Sequence, residues 1–200
     1  MAGAYDHFLT HRRSRRLVGH DYGAAGWYFV TICTDGRRLL FGEVRNGVMG
    51  LSEAGCVAWT CWAEIPAHTA RARLGAFVVM PNHVHGLIGL MPDSGGDDVA
   101  VPGGDDVAPL HATALPAALP PSAMSAMSPA AGSLGAIVRS YKSAVTRAVR
   151  PADPGFKWQA RYHDHVVRDT ASLRRIAAYI EANPARWDVD RLRPARPKRG

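Results

Sequence analysis

The sequence predicts an α+β fold, an antiparallel sheet with helices packed on one face. Three observations predict it. The period of the apolar positions alternates along the chain between strand-like and helix-like. The resulting order of elements is ββαββ, then α, β and α. With 200 residues, 47% of them hydrophobic, one domain can bury a core without disulfide or metal staples.

Residues 27–34 (WYFVTICT) are aromatic and β-branched and end at the turn pair Asp35-Gly36. Residues 41–48 read as the hairpin partner of that strand. Ser52 can cap a helix of about fifteen residues, in which Ala54, Val57, Ala58 and Cys61 recur at helical spacing and which Pro66 ends. Residues 74–80 and 83–90 are two apolar strands joined around Pro81-Asn82. Leu134, Ile137, Val138, Tyr141, Val145 and Val149 then recur at steps of three and four, with Arg139, Lys142, Arg147 and Arg150 on the other face. A short strand over 162–167 leads to a final helix, capped by Asp169 or Thr170 and ending at Asn183-Pro184. This is the layer arrangement of the ferredoxin-like or RRM-like class.

The ordered domain is expected over 27–187. It is interrupted at 92–132 by an Ala-, Pro-, Gly- and Asp-rich insertion holding the near-repeats GGDDVAVP and GGDDVAPL. Such a composition buries too little apolar surface to offset its ordering, so it reads as flexible. A basic arm, 1–26, and a basic tail, 188–200, flank the domain and read as similarly loose. Neither apolar strand approaches the roughly 20 residues needed to cross a bilayer, which excludes a membrane-spanning chain. The first six residues lack the apolar core of a signal peptide. Three cysteines, Cys33, Cys56 and Cys61, match neither a disulfide framework nor a zinc-ligand set. The expected compartment is the cytoplasm, with buried thiols.

The net charge of +7 understates the asymmetry. Residues 91–133 carry five Asp and no Lys or Arg, leaving +12 on the remainder. A polyanionic partner, nucleic acid or an anionic membrane surface, is the inference from charge, and a well-solvated basic surface is its plainer counterpart.

The most informative hexapeptide is Met80-Pro81-Asn82-His83-Val84-His85. On a strand, residues two apart share a face, so His83 and His85 present two imidazoles that can chelate one divalent cation. His163-Asp164-His165 repeats the spacing, and geometry does not choose between the pairs; the apolar strand 76–80 before the first favours it modestly. On the final helix, Tyr179 and Asn183 lie one turn apart on one flank of the stripe formed by Leu173, Ile176, Ala177 and Ile180. Alone, this pair reads as a tyrosine packed at the core margin with its hydroxyl in water and a residue that ends the helix before Pro184.

Six blocks together resemble a known family. DYGAAGWYFVTICT at 21–34, LFGEV at 40–44, FVVMPNHVHGLI at 77–88, YKSAVTRAV at 141–149, KWQARYHDHVVRD at 157–169 and YIEANP at 179–184 are similar to the REP-associated tyrosine transposases, a branch of the single-tyrosine HUH transposases of the insertion-sequence type. The resemblance spans about 12–187 without the insertion, which departs from the family pattern. It implies that His83 and His85 are the metal-binding pair, Tyr179 the nucleophile and Asn183 the third metal-side ligand. It gives His165 and Arg168 supporting or DNA-contacting roles. Mg²⁺ or Mn²⁺ fits two imidazoles and an amide oxygen better than it fits a thiolate-rich site, and imidazoles also accept Zn²⁺ or Ni²⁺.

The implied activity is metal-dependent cleavage and rejoining of single-stranded DNA hairpins through a 5′-phosphotyrosine, by a monomer or a homodimer. Single strands bind positive grooves lined with aromatics. Arg139, Lys142, Arg147 and Arg150, with Arg12, Arg13, Arg15 and Arg16 on the arm, are the candidate backbone contacts, and Trp158 is the best placed tryptophan for base stacking. Tyr141, a nucleophile in principle, lies on an apolar stripe and is expected in the core. A catalytically silent nucleic-acid-binding module and a small metal-dependent hydrolase are the competing classes. The complete set His83, His85, Tyr179 and Asn183 favours the transferase.

Overall fold

The structure is a computed structural model and describes residues 19–92 and 130–194. Its centre is a four-stranded antiparallel sheet formed by β1 (Gly26–Cys33), β4 (Ala72–Met80), β5 (His83–Leu90) and β6 (His163–Val167), in the order β4-β5-β1-β6. The α+β antiparallel class predicted from sequence is therefore observed.

One expected pairing is not. Residues 41–48 do not pair with β1; β2 (Gly42–Arg45) and β3 (Val48–Leu51) form a separate hairpin. The cause lies in Asn46 and Gly47, at φ 51° and 75°. Two adjacent left-handed residues make the tight turn whose twist suits a two-residue hairpin, so the chain doubles back on itself before it can reach the sheet.

Helix α1 (Glu53–Ala63) starts at Ser52, whose hydroxyl accepts from the Gly55 amide at 3.1 Å and donates to the Leu40 carbonyl at 2.7 Å. Pro66 does not simply end the helical stretch. It sits in the first turn of a second, short helix, α2 (Ile65–His68), where a missing N–H costs nothing. Helix α3 (Leu134–Val149) is capped by Ser133 and buries the predicted stripe. Helix α4 (Thr170–Glu181) is capped by Asp169, which accepts from the Ser172 amide at 2.7 Å.

Strand alternation sends consecutive residues to opposite faces of the sheet, and the two faces differ. On one, Tyr28, Val30, Ile32, Val84, Ile88 and Leu90 join α1 and α3 in a large core that includes Trp62, Ile137, Tyr141 and Val145. On the other, Phe29 and Leu87 meet Ile176 and Ile180 of α4 in a small one. The helices thus occupy both faces rather than the single face expected. α4 carries only a narrow apolar stripe, and the second face offers it a matching strip beside a row of polar side chains. In β4 a register shift between Leu74 and Phe77 reverses the alternation, so Leu74 and then Phe77 and Val79 all reach the large core. Gly86 lies on the large-core side of β5 against the Trp62 indole; a methyl group there would overlap the ring.

Among the described residues, no helix is long and apolar enough to cross a membrane. The arm residues Arg12, Arg13, Arg15 and Arg16, residues 93–129 of the insertion and the last six residues of the tail lie outside the described residues.

Candidate metal and tyrosine site

Period two on β5 puts His83, His85 and Leu87 on the α4 face, and cross-strand pairing continues that row. His83 lies opposite Cys33, His85 opposite Thr31, and Thr31 in turn opposite His163, with His165 opposite Phe29. The two histidine pairs are therefore neighbours on one face, flanking β1. His83 and His85 are fully buried, with ring centroids 4.4 Å apart, whereas His163 and His165 are half-buried on an edge strand.

Each buried imidazole has its Nδ1 held from behind. His83 Nδ1 lies 2.8 Å from Asn82 Oδ1, and His85 Nδ1 lies 2.8 Å from Thr31 Oγ1. If both Nδ1 atoms donate, both Nε2 atoms keep a lone pair, as metal ligation requires. Burial above all, with lesser contributions from His85 and Arg37, holds His83 well below the ordinary histidine range. Burial, then His163, brings His85 down to about 3. Both imidazoles are neutral at physiological pH.

The site is closed from α4 and from the chain beyond it. Tyr179 is half-buried with its hydroxyl 3.4 Å from His85 Nε2, and its ring stands edge-on to Phe29. Asn183, one turn further on, is buried and hydrogen-bonds the Tyr179 hydroxyl. Its Oδ1 has no partner, so the amide NH2 is the donor. Burial pushes the Tyr179 phenol up to about 12; the Asn183 hydrogen bond opposes that rise, Asp190 adds to it and Arg186 opposes it. The sequence reading placed Tyr179 and Asn183 on one flank of the helix, and the fold brings that flank over the histidines.

Asp190 was not foreseen. After α4 the chain makes a 3-10 turn, Pro184–Val189, anchored by buried Trp187, and Asp190 Oδ2 arrives 3.8 Å from His83 Nε2. His83, His85 and Asp190 each offer a ligand atom, all within 4.8 Å of one another. His83 Nε2, Asp190 Oδ2 and Asn183 Oδ1 are buried without hydrogen-bond partners. Burial raises the Asp190 carboxyl. With His83 neutral, Nε2 and Oδ2 are two acceptors facing each other, an unfavourable contact that a cation between them would relieve. Two neutral imidazoles, a carboxylate and an amide oxygen, three of whose acceptor atoms lack a partner, are a donor set that fits a divalent cation. No signal in the sequence singles out Asp190, because it follows a helix end in a stretch without periodicity.

The remaining candidates fall elsewhere. Arg139, Lys142 and Arg147 line a cleft of about 680 Å³ between α3 and residues 158–162, walled by Trp158 and Tyr162, with no acidic residue among its lining. That cleft adjoins the large-core face, across the sheet from Tyr179. Lys142 Nζ donates to the Gln159 carbonyl at 2.6 Å. Arg150 lies outside the cleft and donates to the Phe156 carbonyl. Arg168 is exposed just before α4. Tyr141 is buried in the large core and donates to the Ala58 carbonyl at 3.1 Å, as expected of a packing residue.

The fold matches that of a REP-associated tyrosine transposase bound to a REP hairpin, with a TM-score of 0.50 and 19% identity, over 82% of this chain and 68% of that one. No family model matches. The chain is 35% identical over 193 residues to an uncharacterized protein of Haemophilus influenzae, covering 96% of this chain and 98% of the other, and it belongs to the same family as that protein.

Proposed function

We propose that the protein is a metal-dependent DNA strand transferase that cleaves and rejoins single-stranded DNA at hairpins through a 5′-phosphotyrosine. The observation that carries this reading is the approach of the Tyr179 hydroxyl, itself hydrogen-bonded by the Asn183 amide, to His85 Nε2, with the unpartnered atoms of His83 and Asp190 completing the cluster. The fold shared with a transposase that binds a REP hairpin supports it.

His83, His85, Asp190 and Asn183 are the residues that would hold Mg²⁺ or Mn²⁺, which when bound polarises a phosphodiester and offsets the charge on its oxygens. Tyr179 Oη attacks phosphorus in line, the bond to the 3′ oxygen breaks, and that oxygen leaves as a hydroxyl with a proton equivalent to the one the phenol gives up. Asn183, donating to the phenolic oxygen, and Arg186 favour the ionised nucleophile. The phosphate remains a diester, now to tyrosine. The 3′-hydroxyl of another end can therefore attack it and release Tyr179 without an external energy source. Arg139, Lys142 and Arg147, with Arg150, the arm arginines, His165 and Arg168, serve as backbone contacts in this reading. The acid-free, aromatic-walled cleft is suited to that role.

The test is incubation with labelled hairpin oligonucleotides drawn from repeats of the source genome, with Mg²⁺ or Mn²⁺, followed by denaturing electrophoresis. The expected result is a metal-dependent covalent adduct that disappears in Tyr179→Phe and in His83→Ala. Binding without an adduct across several hairpins and both metals identifies a silent binding module instead.

A further inference from the structure

Asn82 sits fully buried at the joint between β4 and β5, and its hydrogen bonds determine which way its amide points. Its Nδ2 donates to the Leu192 carbonyl at 2.7 Å and to the Arg37 carbonyl at 3.3 Å. Carbonyls only accept, so the nitrogen must face them and Oδ1 must face His83. An amide oxygen also only accepts. The proton shared at 2.8 Å therefore belongs to His83 Nδ1, and Nε2 is left with its lone pair on the side of Asp190.

The segment that grips Asn82 is the one that supplies the carboxylate. Asp190 Oδ1 accepts from the Leu192 amide at 2.7 Å, leaving Oδ2 to face His83, while the Leu192 carbonyl returns to Asn82. Arg37 ties the same segment a second time, its guanidinium donating to the Arg191 carbonyl at 2.9 Å. The path His83, Asn82, Leu192, Asp190 closes into a ring with one gap, the space between Nε2 and Oδ2.

We propose that Asn82, gripped by residues 190–192, is the positioning residue that presents His83 Nε2 to the metal, so that cation binding and docking of this segment are coupled. The proposal rests on the metal reading above. A cation bridging His83 and Asp190 closes the ring and holds the segment down; a released segment frees the amide to turn, and His83 loses its preference between tautomers. Linkage makes the effect mutual: whatever docks the segment tightens the metal, and by the same factor.

The first test needs no variant. Nitrogen-15 NMR of the metal-free protein should show His83 protonated on Nδ1; protonation on Nε2 overturns the proposal. Mn²⁺ titration followed by EPR then reads affinity, and hydrogen exchange reads residues 190–193. Asn82→Ala should raise the Mn²⁺ Kd 10- to 100-fold, the range typical for loss of a group that orients a ligand. It should also mix the His83 tautomers and abolish the slowing of exchange that Mn²⁺ produces in the wild type. Asn82→Asp keeps an acceptor for Nδ1–H but cannot donate to Leu192, so it should preserve the tautomer and still lose the metal-dependent protection. Wild-type affinity in a folded Asn82→Ala chain overturns the proposal alone. Absence of Mn²⁺ binding by the wild type overturns the metal reading and the proposal with it.

Discussion

The two faces of one sheet are built from the same strands yet organised on opposite terms. The face under α1 and α3 is a broad apolar core closed by Trp62, Phe41, Tyr141 and Phe156. The face under α4 has a small apolar cluster, Phe29, Leu87, Ile176 and Ile180, and beside it the row His83, His85, Thr31 and His163. Burying neutral imidazoles contributes little to folding and leaves His83 Nε2 without a hydrogen-bond partner, a cost that the opposite core offsets. On the proposed function, stability and chemistry fall on different sides of strands only one residue thick, and substitutions that sort by face test that assignment.

The largest expected effect is on the packing side. Trp62→Ala should cost about 3–5 kcal/mol, read as a fall in the urea midpoint at unchanged slope. A loss below about 1 kcal/mol would show that the large core does not dominate stability.

Acid should expose the other side. The two buried histidines have folded pKa values below the unfolded 6.5, so below that pH the unfolded chain takes up protons that the native chain refuses. Their contribution is fully present above pH 6.5 and is lost as pH falls. For His85 the loss should reach about 1.6 kcal/mol between pH 6.5 and pH 5, with His83 adding to it in the same direction, and His85→Gln should flatten the profile. A wild-type profile level through this window would contradict neutral burial.

Metal acts on the same side with the opposite sign. Mn²⁺ at a hundredfold excess over its Kd should stabilise the protein by about 2.7 kcal/mol, reversibly with a chelator, and Asp190→Ala should remove most of the gain. The smallest effects belong to the cleft. Arg139→Ala and Arg147→Ala should leave melting unchanged and weaken single-stranded DNA binding few-fold, each lowering the salt slope by about 0.7. If neither changes that slope, the DNA does not lie in the cleft.

Much of this division was legible in the sequence, and the exceptions follow a rule. Local periodicity revealed the strands that carry His83 and His85, the stripe of α3 and the flank of α4 holding Tyr179 and Asn183, because each depends on residues within a turn or two of one another. What stayed hidden depends on where distant segments meet. Residues 41–48 carry strand-like composition, and only the left-handed pair Asn46-Gly47 sends them into their own hairpin. The stripe of α4 says that it packs but not on which face of the sheet. Asn82 was visible within the hexapeptide as a joint between strands; its role comes from carbonyls at Arg37 and Leu192, 45 and 110 residues away. Asp190 falls in a stretch assigned to a loose tail, where no pattern distinguishes one carboxylate from another.

Gly86 shows what a sheet this thin does to the interpretation of inactive variants. The Trp62 indole leaves no room for a side chain between β5 and α1, so the thickness of one aromatic ring sets the height at which β5 rides, and His85 is the adjacent residue on the reverse side. Enlarging Gly86 would displace the imidazoles from the opposite side of the sheet without altering any residue of the proposed site. A screen that collects inactive clones would return Gly86 and Trp62 alongside Tyr179, and an inactive phenotype would then report the calibration of the instrument as often as its working edge.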